Sequence, residues 1–243
     1  MIFTIAAREW RGLFLSPLAW VLLAVAQGVL AWIFLLLVRD FQDLQGRLAG
    51  LENAPGITDL VAAPLFRVAA WVMLLLVPLL TMRLFSEERR TRTLDLLLSA
   101  PVGAPAIVLG KYLGVLALLL SLVVLVGLLP LSMAAGATLD YGKLLAGLLG
   151  LSLLAASAAA AGLYISTLTT QPVVAATVTL GLLLALEVVD AAGHLFRYLS
   201  LLRHYDALLL GLVNSADIAY YLLFATAFLG LAIRRLDDMR LRD

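Results

Sequence analysis

From Leu144 to Leu186 the chain carries no charged residue. A helix of that length would span about 65 Å at ~1.5 Å per residue, twice the ~30 Å hydrocarbon core of a bilayer. An apolar run this long has to cross and return. The polar interval Ser166-Thr167-Leu168-Thr169-Thr170-Gln171-Pro172 marks the reversal. The run therefore reads as two spans, Leu144–Ser166 and Pro172–Val189. Composition agrees: the 243 residues are 63% hydrophobic and 14% charged, with mean hydropathy +1.06. Soluble domains are about a quarter charged. The reading is an integral membrane protein, all-α and polytopic, in a single domain over residues 1–243.

The same logic places four more spans at Leu18–Val38, Ala63–Met82, Tyr112–Ala135 and Ile218–Ile233. Pro78 and Pro130 are expected to bend the second and third. Arg67 lies close enough to the end of its span to snorkel outwards. Ahead of the first span, Ile2, Ile5, Ala6, Trp10, Leu13 and Phe14 share one helical face. Arg8, Glu9 and Arg11 take other positions. Residues 1–16 thus form an interfacial amphipathic helix, broken at Ser16-Pro17. The first apolar block is too long for the core of a cleaved leader. Residues 39–62 read as a polar loop. Residues 190–217 mix charges with leucines and read as short helices at the surface. The tail from Arg234 reads as solvated.

Cations orient the frame. With six spans and both termini inside, the inner segments hold Arg8, Arg11, Arg83, Arg89, Arg90, Arg92, Lys111, Arg234, Arg235, Arg240 and Arg242, most of the chain's 17. The longest polar interval on that side, Met82–Lys111, also contains Leu94, Leu96, Leu97 and Leu98. Leucines beside alternating charges suit a surface that presses into a partner protein. Leu94, Leu97 and Leu98 are the expected anchors, with Glu87, Glu88, Arg89 and Arg90 setting orientation at the rim. Thr93 and Asp95 complete the segment.

Several chemistries are disfavoured. There is no cysteine, hence no disulfide or thiolate. A phosphate loop needs its two glycines five residues apart and a small hydroxyl after the lysine. Gly103 and Gly110-Lys111-Tyr112 meet neither condition. Glu87-Glu88-Arg89-Arg90-Thr91-Arg92 fits an E-E-x-x-x-R protease pattern. The only histidines, His194 and His204, fall on the opposite side of the membrane in this topology. Glu187, Asp190 and His194 can share a helix face and form a metal or proton site. Placement at the wet outer end of a span is the simpler account. Gly147, Gly150 and the run Ser157–Gly162 read as a close-packing face.

The order of motifs resembles a known family. Arg83-Leu84-Phe85-Ser86-Glu87-Glu88-Arg89-Arg90, then Thr93 to Val102, then Gly110-Lys111, is similar to the cytoplasmic signature of ABC-2-type permeases, and of their gliding-motility (GldF-like) branch in particular. Tyr198-Leu199-Ser200, His204-Tyr205, Gly211-Leu212-Val213, Asp217 and Tyr220-Tyr221 resemble that branch's later pattern. Arg92 stands where the family often has glycine, Asp95 where it usually has glutamate, and Leu210 where arginine is common. The resemblance implies that residues 83–104 form a cytoplasmic coupling segment whose Thr93–Ala100 helix docks on an ABC ATPase. It implies that residues 190–217 form an extracytoplasmic element. The partners implied are an ATPase dimer that binds ATP and Mg, a second or related permease, and the bilayer. No cofactor in this chain and no nucleic acid are expected. The expected location is a bacterial inner membrane. The expected function is the permease half of an exporter; the alternatives are a subunit transmitting force to a periplasmic partner, and a membrane-embedded enzyme, which the shortage of catalytic residues disfavours.

Overall fold

A computed structural model describes residues 2–48, 56–94, 102–134, 138–190 and 199–241, with the side chains of Gln45, Arg47, Leu48, Val189 and Asp190 set aside. Most of these residues are helical, with no strand among them. Helix α1 (Ile2–Leu15) ends where predicted, and after Ser16 alone Pro17 opens α2 (Pro17–Leu48). A π-helical turn (Thr58–Ala62) runs into α3 (Ala63–Thr81), and α4 (Arg83–Arg90) continues from it. Then come α5 (Ala104–Leu131), α6 (Tyr141–Leu168), α7 (Pro172–Asp190), α8 (Leu201–Leu209) and α9 (Ser215–Arg240).

Helix starts follow local chemistry. Pro17, Pro64, Pro105 and Pro172 lie in first turns, where a missing N–H leaves nothing unsatisfied. The side chains of Asp140, Ser200 and Asn214 cap α6, α8 and α9 by accepting from the amides of Lys143, Arg203 and Ala216. Gly211, at φ 80°, closes α8: its amide donates to Leu208 O, and the amide of Leu212 donates to Ala207 O. Arg92, at φ 55°, takes the same left-handed conformation after α4 without being a glycine.

Among the described residues, five helical stretches are long and apolar enough to cross a membrane: Pro17–Leu44, Thr58–Arg90, Ala104–Leu131, Tyr141–Leu168 and Ser215–Arg240. Pro172–Val188 is apolar but shorter. Two expectations change. The interval 39–62 is not simply a polar loop: α2 continues to Leu48, and Thr58, Val61 and Ala62 of the π turn are buried. The tail from Arg234, read as solvated, is helical to Arg240 and exposes Arg234, Asp237, Asp238 and Arg240, but Leu236 within it is fully buried.

Helix α6 occupies the centre and touches α3, α4, α5, α7, α8 and α9. Its small residues allow this. A Cβ on Gly147 would stand 2.7 Å from the Phe66 ring, and one on Gly150 2.7 Å from the Tyr205 ring. Gly162 lies against Thr81, and Ala158, Ala159, Ala160 and Ala161 have no exposed surface. Small residues let helices approach closely, and dispersion contacts then replace lipid contacts. The same device seats α1. A Cβ on Gly110 would meet Ile5, and one on Gly114 would meet Glu9, each at 2.7 Å. Helix α1 is therefore packed along α5 as well as being amphipathic.

Candidate functional site

The segment beginning at α4 is fixed to the membrane helices at three points. The first is Ser166, near the end of α6. Its hydroxyl oxygen accepts from the amides of Phe85 (3.0 Å) and Ser86 (3.1 Å) and donates to Met82 O at 3.1 Å. The Ser86 hydroxyl donates to the same carbonyl. Helix α4 follows directly from α3, and Ser166, itself fully buried, gives two of its first amides a side-chain acceptor.

The second point is Lys111 on α5. Its side chain is 2% exposed and its ammonium sits 2.8 Å from Glu88 Oε1 and 2.9 Å from Glu9 Oε1. The Phe85 ring lies 5.3 Å away. A buried ammonium requires partners of opposite charge. Here the two carboxylates come from α1 and α4, so one cation joins three helices. The third point is Arg89, which donates to Thr167 O at 2.7 Å. A cation on the last carbonyls of α6 also suits the negative end of that helix.

The predicted site residues divide accordingly. Glu87 remains on the outer side of α4, 3.3 Å from Arg90 and 3.7 Å from Arg83. Arg90 is exposed, and the Thr93 hydroxyl lies 3.0 Å from that of Thr91. Glu88 and Arg89, expected at the rim, turn inward instead. Leu94 is 3% exposed and belongs to the chain's own core. Asp95, Leu97 and Leu98 lie outside the described residues. Lys111 entered the sequence reading as an inner cation and part of a motif, Ser166 and Thr167 as part of a turn and Glu9 as a polar position of α1; none was expected to take part in the site. The available signal was Lys111 itself, a cation on an otherwise apolar helix that needs a carboxylate.

At the other end of the bundle, Glu187 accepts from the Ser200 hydroxyl (2.7 Å) and from the amides of Leu201 (3.0 Å) and Leu202 (3.2 Å). It caps α8 from outside the helix. His204 Nδ1 lies 2.6 Å from Asp217 Oδ1, and its ring stacks on Tyr220 at 4.1 Å. The Tyr220 and Tyr221 hydroxyls donate to Leu199 O and Leu201 O, each at 2.6 Å. Burial pushes the Tyr205 hydroxyl pKa well above its usual 10, so it stays a neutral donor to Phe66 O. Arg67 pairs with Asp206 at 2.7 Å. Of the expected trio, Glu187 is thus a structural cap, and His194 and the Asp190 side chain lie outside what is described. Among the described residues no group of three could hold a metal. A cavity of about 350 Å³ lies between Arg67, Trp71, Arg203 and Asp206.

The arrangement is a helical membrane bundle with a charged segment tied to its core at one end. Residues 48–189 match the family described as ABC-2 family transporter protein. No curated protein matches the chain. That match spans more than half of the sequence and takes in α3 to α7. The chain therefore belongs to the ABC-2 transporter family, as a multi-pass membrane subunit of an ABC transporter that is not itself the ATPase.

Proposed function

We propose that the chain is the permease half of an ATP-driven exporter of the gliding-motility (GldF-like) branch. It couples hydrolysis by a separate ATPase dimer, which binds ATP and Mg, to movement of a substrate out of the cytoplasm or the inner membrane. Six spans with both termini cytoplasmic put most cations inside, and α7 serves as the short fifth span. Two copies, or this chain with a related permease, complete the pathway. The chain itself carries no cofactor.

The observation that carries this reading is the buried Lys111 held by both Glu88 and Glu9. A push on α4 is delivered through it to α1 and α5, and through Ser166 and Arg89 to α6. Within the segment, Glu87, Arg90, Thr93, Asp95, Leu97 and Leu98 face the motor, and Glu88, Arg89 and Leu94 pass the load inward.

Co-purification tests it. The wild-type chain retains its ABC ATPase, whereas Leu97→Asp inserts normally and loses it. Wild-type retention by the variant would place the docking surface elsewhere.

A second reading, force transmission to a periplasmic partner without transport, is favoured by the firm seating of α8 through Glu187 and the His204–Asp217 pair. Substrate flux in reconstituted vesicles separates the two.

A further inference from the structure

The cavity beside α8 is lined by charges of both signs. Among the described residues its wall carries Arg67 and Arg203, Glu187 and Asp206, with Trp71 beside them. Arg67 and Trp71 stand four residues apart on α3, and Arg203 and Asp206 three apart on α8, so each pair shares a helix face. The two helices are in contact, and Arg67 Nη2 reaches Asp206 Oδ1 between them at 2.7 Å. Glu187 has a task already, since it accepts from the Ser200 hydroxyl and the Leu201 and Leu202 amides.

The Arg67–Asp206 pair is different. Arg67 Nε and Nη2 both donate to Oδ1, so Nη1 and Oδ2 lie outside the pair. The two side chains are 60% and 51% exposed. An ion pair this open contributes little stability, and its ends are offered to whatever fills the cavity. An anion alone would satisfy Arg67 and repel Asp206. A ligand that brings an anionic group to the guanidinium and an N–H cation to the carboxylate satisfies both.

The surroundings select its carrier. At about 350 Å³ the cavity is at the small end for ligand pockets, room for a headgroup and not for a whole lipid. From Arg67, Trp71 and Leu75 continue along one face of α3, 43% and 52% exposed, on a membrane-crossing stretch. A charged pocket that opens onto a bare apolar face, with a tryptophan at the junction, matches a polar headgroup followed by acyl chains.

We propose that this cavity binds a phospholipid whose headgroup joins a phosphate to a primary ammonium, as in phosphatidylethanolamine. The phosphate lies on Arg67 and Arg203, the ammonium on Asp206, and an acyl chain along Trp71 and Leu75. Its assignment to the outer leaflet rests on the orientation given above; binding itself depends neither on orientation nor on the motor.

Thermal unfolding of the full chain in detergent micelles tests it, titrated with phosphatidylethanolamine, phosphatidylcholine, phosphatidylglycerol or water-soluble glycerophosphoethanolamine. Phosphatidylethanolamine raises the Tm of the wild type more than the other three. It does the same for Arg234→Gln, which removes an exposed cation near the end of α9. Arg67→Gln needs about tenfold more of it, the effect of losing one charge-assisted bond. Asp206→Asn loses the preference over phosphatidylcholine and phosphatidylglycerol, which a purely structural ion pair would not alter. Arg67→Lys keeps the charge without the fork and decides the matter if the glutamine variant does not fold; its half-saturation rises too. No gain in the wild type, or unchanged half-saturation and preference in the variants, overturns the site. Equal protection of the wild type by phosphatidylglycerol overturns the need for a cation, and by phosphatidylcholine the need for an N–H donor on it. Equal protection by glycerophosphoethanolamine overturns the lipid as occupant.

Discussion

Lys111 Nζ lies 2.8 Å from Glu88 Oε1, while Glu88 Oε2 is buried without any partner. The carboxylate therefore depends on that one ammonium, and the ammonium also holds Glu9. Lys111→Met leaves two carboxylates in a poorly hydrated site and lowers stability by about 3–5 kcal/mol. Adding Glu88→Gln recovers part of the loss. In the reading proposed above, neither variant couples: ATPase turnover in the complex no longer responds to the permease. Unfolding of purified protein and ATPase assays of the complex measure the two effects separately.

Ser166→Ala removes the acceptor shared by the Phe85 and Ser86 amides. The cost expected for orphaned buried donors is about 1–3 kcal/mol. Hydrogen exchange at those two amides should accelerate in the variant more than exchange in α9. Unchanged protection at both amides would mean that the hydroxyl is not their partner.

Arg92→Gly runs the other way. The left-handed conformation at φ 55° costs an L-residue roughly 1–2 kcal/mol, against about 0.5–1 kcal/mol for the extra freedom glycine has when unfolded. A net gain of up to about 1 kcal/mol is expected, visible as a small rise in Tm.

Two glycines separate packing from flexibility. Gly150→Ala drives a methyl into the buried Tyr205 ring and should cost about 1–3 kcal/mol. Gly28→Ala, on α2 with nothing within 4 Å, should be neutral or stabilise by up to about 1 kcal/mol. Thermal unfolding of the pair of variants checks both signs.

What the sequence disclosed was what local periodicity and breakers control. The limits of α1, the reversal before Pro172 and the small-residue face of the central helix all follow from neighbours in the chain. Contacts between distant positions were not legible. Arg67 was expected only to snorkel, and its partner Asp206 lies far along the chain on α8. Glu9 is equally remote from Lys111, and nothing in its surroundings announces that it leaves the wet face of an amphipathic helix for a buried cation. The inward turn of Glu88 and Arg89 was hidden for a related reason. In an eight-residue helix dense with charge, composition does not say which side meets water until the packing of α5 and α6 decides it.

Because the buried run Ser157–Gly162 of α6 is serine, alanine and glycine, that part of the helix has no long side chains that could swing aside to absorb a displacement. It acts as an axle. In the reading proposed above, a working stroke turns the outer helices around it as rigid rods, and a substitution that thickens it jams the stroke without touching either the load or the engine.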